Sequence, residues 1–355
     1  MSTRNFYPDV FPGTRIDFSN STMLPNSLEF GRASTGTYTD QNGIIRTALP
    51  GEPRFAYDVA TGESLGLLVE ESRTNLFPIS ETYTSWNVDN NATKTTDGTT
   101  IAGLTAIKLT SNVNTNALFL EGNNATFSAN TTHTASVYHK PGNVDGFWFE
   151  ARSFSGGGTS KIFFNSTTET WSANSGTYNG QPWSVRSEKV EANAWRHSLT
   201  FYIATDVAGS LRIGGLAPAN TTNVSTGDYG YLAAPQVEVG PFPTSYIPTS
   251  GSAVTRAADT FSAPVGSFKS SRIIFSPSNI SISNSISSPT LTFSDSSSPT
   301  PPYSLELSAP ELIPTLVTKY NSVPQSYLSI PAPPGPLAPP PEQCSIAFNY
   351  NSATG

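Results

Sequence analysis

Three histidines, His133, His139 and His197, are the side chains best suited to acid–base or metal chemistry in this chain. None stands at a metal-ligand spacing such as H-x-x-x-H. His197 falls in register with Leu199 and Phe201 in an alternating run, which predicts a histidine of the core or its rim. A literal G-x-S-x-G match occurs at Gly62-Glu63-Ser64-Leu65-Gly66. A nucleophile elbow needs a strand before the serine and a helix after it. Here a turn precedes Ser64 and the apolar run Gly66–Val69 follows, so the match reads as chance. Paired carboxylates would serve glycoside hydrolysis. The candidates, Glu70-Glu71, Asp58 with Glu63, and Asp228, sit beside turns or strand ends, where carboxylates are ordinarily solvated. Gly156-Gly157-Gly158 is followed by neither a Lys-Ser/Thr pair nor a helix, which argues against phosphate binding. The one cysteine, Cys344, can neither close an intrachain disulfide nor hold a metal alone. The reading predicts no catalytic residue, no metal site and no cofactor, although an oxygen-rich loop such as 87–91 leaves calcium open.

Two other groups of residues carry recognition or packing chemistry. Trp86, Trp148, Trp171, Trp183 and Trp195 fall in one segment, with Tyr83, Tyr178, Tyr202, Tyr229 and Tyr231. Trp148 and Trp195 read as core. Trp171 and Trp183 flank the polar stretch SANSGTYNGQP and read as the exposed pair, with Tyr178 between them. Sugar rings stack on aromatic faces while Asn, Asp and Gln bind the hydroxyls, so Trp171, Tyr178 and Trp183 are the candidate glycan contacts. Arg32, Arg54 and Arg73 are cations in a charge-poor stretch, with Asp40, Asp58, Glu70 and Glu71 as available partners. Buried ion pairs of this kind can specify one packing. Arg32, Arg54, Glu70 and Arg73 are therefore expected to form a rigid structural joint.

The elements that must position these groups follow from composition. Charged residues are 13% of the 355 residues, about half of the usual ~25%. Serine and threonine make up about a quarter, with 27 glycines and 29 prolines. Such a chain favours short strands and turns over long amphipathic helices. A net charge of −7 and the lack of a basic stripe argue against nucleic-acid binding. No run approaches ~18 consecutive apolar residues, so no membrane insertion is expected. The start, MSTRNFYPDVFPG, lacks the apolar region of a secretory signal. The lack of disulfides suits folding in a reducing cytoplasm.

Four parts are expected. Residues 1–25 are a polar N-terminal arm. Residues 26–77 are a β-rich lead-in of hairpins, with turn signals at Asp40–Gly43, Pro50-Gly51 and Thr61-Gly62. Residues 78–250 hold the clearest strands. In Trp195–Ile203, Leu199, Phe201 and Ile203 share one face, and Thr131–Lys140 alternates too. Eight or so strands with turns between them predict an antiparallel jelly-roll-type β-sandwich. Residues 251–355 form a Pro/Ser-rich C-terminal β or extended region, with 16 of the 29 prolines and a polyproline II candidate at 331–342.

Several blocks then occur in a recognisable order. Phe30–Gly43 is followed by Pro53–Asp58, Gly66–Leu76, Gln236–Gly240, Thr244–Thr249 and Thr255–Asp259. Over residues 26–260 this resembles the tail-fibre and head spike-fibre virion proteins of tailed bacteriophages, in which a β-rich lead-in joins a carbohydrate-binding-like sandwich. The resemblance implies a non-enzymatic structural protein of the virion exterior, on tail or head. It implies a homo-oligomer, a trimer, that contacts neighbouring virion proteins and recognises host surface glycan. A capsid or tail cement protein is the alternative, and a glycan depolymerase the second. A depolymerase tailspike carries a repeated β-helix, and no fixed-period repeat occurs here.

Overall fold

The computed structural model describes residues 23–24 and 28–262, with breaks at 60, 89–90, 115–117, 123–126, 153–158, 174, 179–180 and 204–209, and six further strands between 270 and 349. The arm at 1–25, apart from 23–24, and the polyproline II candidate at 331–342 lie outside the described residues.

The chain is mostly β and its described sheets are antiparallel. The lead-in consists of β1 (Glu29–Gly31), β2 (Gly36–Thr39), β3 (Ile45–Ala48), β4 (Phe55–Tyr57), β5 (Ser64–Leu67) and β6 (Arg73–Asn75). β2 and β3 form a hairpin, as do β4 and β5. Asp40 shapes the first turn, its Oδ1 accepting the amides of Asn42 (2.9 Å) and Ile44 (3.0 Å). Asp58 does the same for the second through the amide of Thr61 at 2.8 Å.

A single 3₁₀ turn at Tyr83–Ser85 leads to β7 (Asn87–Val88), β8 (Ala92–Thr95), β9 (Thr100–Ile101), β10 (Leu104–Thr105), β11 (Ile107–Ser111), β12 (Leu118–Gly122) and β13 (Thr131–Pro141). Next come β14 (Gly146–Arg152), β15 (Thr159–Asn165), β16 (Thr170–Trp171), β17 (Ser175–Tyr178), β18 (Gln181–Glu191), β19 (Ala194–Ile203), β20 (Ser210–Ala217) and β21 (Tyr229–Val239). They build the expected jelly-roll-type sandwich. A seven-stranded sheet runs β17-β18-β19-β13-β21-β11-β8 and a six-stranded sheet runs β16-β15-β14-β20-β12-β7. Period-two alternation puts Ala135, Val137, Leu199, Phe201 and Val237 of one sheet against Phe147, Phe149, Phe164 and Leu216 of the other in a common core. Trp148 points from β14 to the opposite face and lies over Gly215, where any Cβ would overlap its indole.

β13 and β21 are buried along nearly their whole length. A sheet with one solvated face would alternate. The reason is a second, smaller core. Tyr138, Ala233 and Ala234 on the outer face of the seven-stranded sheet pack with Ile101, Ala102, Tyr246 and Ile45. The lead-in therefore lies over that face.

β22 (Val254–Arg256) and β23 (Thr260–Ser262) close the body. β22 pairs with β6 and β23 with β1, so residues 179 or more apart in sequence share ladders. Beyond it, β24 (Ser270–Phe275) pairs with β29 (Cys344–Asn349), and β25 (Thr290–Phe293), β26 (Tyr303–Ser308), β27 (Ile313–Tyr320) and β28 (Val323–Ser329) form a meander. All six fall in the region expected to be β or extended. Of the meander, β26, β27 and β28 have prolines inside or beside them, which mask their period.

Candidate functional site

The densest polar constellation lies where lead-in and closing segment meet. Short strands of three or four residues bury little apolar surface, so charged groups hold them. Asp259 sits at the centre. Its Oδ1 accepts Arg32 Nη1 at 2.9 Å, and its Oδ2 accepts Arg54 Nη2 and the Glu70 amide, the latter at 2.8 Å. Arg54 Nη1 also donates to Glu70 Oε2 (2.7 Å), the Thr37 carbonyl (2.8 Å) and Ser245 Oγ (2.8 Å). Arg32 Nη2 reaches the carbonyls of Leu49 (2.8 Å) and Glu52 (3.0 Å). Arg256 Nη1 lies 3.4 Å from Glu70 Oε2, and its Nη2 donates to the Glu71 carbonyl at 2.9 Å. Three guanidinium groups thus surround two carboxylates, none more than 5% exposed.

The electrostatics follow from that packing. Burial alone would raise Glu70, but Arg256 and Arg54 and the Ser245 hydrogen bonds outweigh it and hold the carboxyl below its ordinary range. Glu238, on β21 beneath the cluster, behaves oppositely. Burial raises it despite bonds from Thr244 and Gln236 and the nearby Arg196. Arg196 spans the two layers, donating to Ser136 Oγ (3.0 Å) and the Thr244 carbonyl (2.7 Å).

Of the four residues expected in the joint, Arg32, Arg54 and Glu70 come together. Arg73 does not join them. It pairs with Glu71, with Nε 2.7 Å from Oε1, and lies over the Phe242 ring. Gly240 at φ +136° makes room for its guanidinium, which any Cβ would overlap. Two other expected partners are elsewhere: Asp40 binds Arg46 at 2.8 Å, and Asp58 serves its own turn. Asp259 and Arg256 were missed as partners. A signal existed, because they are the only charged residues between 239 and 268.

The aromatic trio is placed differently from the sequence expectation. Trp171 is half-buried at the edge of the six-stranded sheet, stacked on Phe149 with centroids 5.9 Å apart and tilted against Phe164. Trp183, on β18 opposite Phe201, is also half-buried against the main core. Neither is the exposed platform predicted, because β18 continues the sheet and turns Trp183 inward with Val185. Tyr178 ends β17, and its side chain lies outside the described residues.

That same edge holds the histidines. Trp171 Nε1 donates to Ser187 Oγ at 2.9 Å, Ser187 Oγ lies 2.7 Å from His197 Nδ1, and His197 Nε2 lies 3.1 Å from His139 Nδ1. Both histidines are fully buried, with Phe147 stacked on His197 at 4.3 Å. Burial, with nothing opposing it, pushes His139 down to about 3. Burial and then His139 hold His197 well below its ordinary value. Serine and histidine thus stand at dyad distance, but Trp171 occupies the serine oxygen and the imidazole is a weak base. Ser64, of the G-x-S-x-G match, merely begins β5.

With this geometry in view, comparison with known proteins adds no relative. Neither a protein-family model nor a curated protein matches the sequence. The site is therefore read on its own chemistry. Every carboxylate oxygen of Asp259 and Glu70 is engaged inside the chain, so the cluster ties segments together rather than presenting charge to a ligand. Among the described residues, no group of three or more His, Cys, Asp and Glu is placed to hold a metal ion. No described helix is long and apolar enough to cross a membrane.

Proposed function

We propose that this chain is a structural protein of a tailed-phage exterior, a tail fibre or head spike. It works as a trimer, attached through a terminal region, and presents its sandwich to host surface glycan without catalysing a reaction. One observation carries this reading. The sequence blocks that resemble the phage proteins, around Arg32, Arg54, Glu70, Ser245, Arg256 and Asp259, form one physical unit against the sandwich. The resemblance therefore rests on a folded joint rather than on scattered matches. The half-buried setting of Trp171 and Trp183 argues that glycan contact, where it occurs, uses other side chains.

The test has two parts. Light scattering of the purified chain reads the oligomer, and a map of the intact particle reads position and copy number. A few trimers projecting from the tail or a vertex support the reading. A dense lattice over capsid or tail replaces it with the cement role, and release of reducing ends from host polysaccharide replaces it with a depolymerase.

A further inference from the structure

Four side chains from four strands form one hydrogen-bonded chain between the sheets: Trp171 on β16, Ser187 on β18, His197 on β19 and His139 on β13. Its direction is constrained. Trp171 can only donate, so Ser187 Oγ must accept. Between the imidazoles one nitrogen donates and the other accepts, so at least one ring is neutral. The chain ends at His139 Nε2, which is buried without a hydrogen-bond partner.

We propose that this chain is an acid-sensitive latch, which ties the β15–β16 edge of one sheet to the β18–β19 edge of the other and opens when the imidazoles take up protons.

The reason is local. A second proton would set two N–H groups against each other across 3.1 Å, in a site walled by Phe147, Phe164 and Trp195. Among the described residues no carboxylate acts on either ring. Around the site, β13 contributes Tyr138 and Lys140 on its outer face, where Lys140 pairs with Glu191 of β18 at 3.2 Å. Lys189 of β18 lies over the Trp195 ring at 5.6 Å. β19 contributes Arg196, also on the outer face and directed to Ser136. β14 contributes Glu150, which alternates away from Phe147 and Phe149, and Leu232 of β21 stands opposite His139. A serine, two imidazoles and the indoles of Trp171 and Trp195 are thus the polar-atom-bearing side chains gathered here on the described inner face.

The sign is that of a base whose folded pKa is depressed. The latch's contribution is fully present above the open-state value of 6.5 and falls as pH drops below it. With His139 held to about 3, the opening constant rises about 25-fold between pH 7 and pH 5 from that ring alone.

Hydrogen exchange of the full chain at pH 7 and pH 5, corrected for intrinsic chemistry, tests this. The amides of 159–165, 170–171 and 181–191 should lose protection by about 25-fold or more, while the β1–β23 and β6–β22 ladders keep theirs. Unchanged protection in those strands, or equal loss everywhere, would overturn the latch. His133 supplies an internal control. It is also lowered by burial, but it sits at the far end of β13 between Phe127 and Phe201; loss that starts there overturns the proposal too. His139→Phe should remove that ring's share of the pH step and leave only what His197 contributes, and a step of the same size in that variant refutes it. If that variant does not fold, NMR titration of the wild-type imidazoles decides. Titration coinciding with lost protection supports the latch, and titration near 6.5 with protection intact overturns it.

Discussion

The lead-in joint and the sandwich solve the same problem, burying short strands, with opposite materials. The sandwich has strands of up to 11 residues and two facing sheets, and it fills the space between them with Phe, Leu, Val and Trp. The joint has strands of three or four residues, and its interior is guanidinium and carboxylate. Apolar packing tolerates repacking at fixed volume. An ionic cluster does not, because each group left unpaired in a buried site carries its whole desolvation penalty. The joint thus gains specificity of docking where it lacks apolar surface, and the sandwich supplies the bulk of the stability.

The sharpest way to break this comparison is Arg54→Ala. It removes one of two cations from Glu70 and one of two from Asp259, at a cost of about 3–5 kcal/mol in urea unfolding. The loss should come with exchange of the β1–β23 and β6–β22 ladders while the sandwich ladders hold. A loss under about 1 kcal/mol would mean that the cluster contributes no more than a surface pair. On the other side, Leu199→Ala opens a cavity in the main core and should cost about 3 kcal/mol. Its effect should appear as global unfolding with the same urea slope, because the sandwich unfolds as a unit. If Leu199→Ala released only the lead-in, the division of labour would be reversed.

Acid separates the two regions without a mutation. The sandwich histidines have depressed values, so their stability contribution falls from pH 6.5 downward, by about 2 kcal/mol at pH 5 from His139 alone. The joint's Glu70 is also depressed, but from 4.5. Its contribution is present above 4.5 and is lost only as pH falls through the lower folded value. Glu238 runs the other way, since its raised value makes protonation easier in the fold than outside it. A stability profile with one step below 6.5 and a second below 4.5 is expected. A single step at the carboxylate range would show that the buried histidines do not report on the sandwich.

The sandwich was the more legible of the two regions, for a physical reason. A strand with one apolar face writes its period into the sequence, so Thr131–Lys140 and Trp195–Ile203 read within a residue or two of β13 and β19. β18 did not, because its inward row passes from Trp183 and Val185 to Ser187, a polar residue made inward by the histidine it bonds. The doubly buried stretches of β13 and β21 lack that period. Nothing local tells that the outer face is covered by a segment from elsewhere in the chain. The joint was half legible. Charges in a charge-poor stretch pointed to Arg32, Arg54 and Glu70, but pairing them needed a partner 189 residues away from Glu70. Sequence neighbours such as Asp40 and Asp58 looked nearer and were already taken by their turns.

Arg73 gives the finest test of where the joint ends. By sequence it belongs with Arg32 and Arg54; by position it is a rim pair with Glu71, whose side chain is 35% exposed. A partly solvated pair contributes about 0–1 kcal/mol, and the Arg73 stack on Phe242 adds roughly 0.5 kcal/mol. Arg73→Ala should therefore cost about 1 kcal/mol, and part of that loss should vanish at high salt. Arg54→Ala should be insensitive to salt, because its partners are out of reach of counterions. The two arginines belong to the same lead-in, one fully buried and one at its rim, so equal costs would mean that burial is not what makes the cluster rigid. A large cost for Arg73 alone would move the centre of the joint to Gly240, the glycine that gives its guanidinium room.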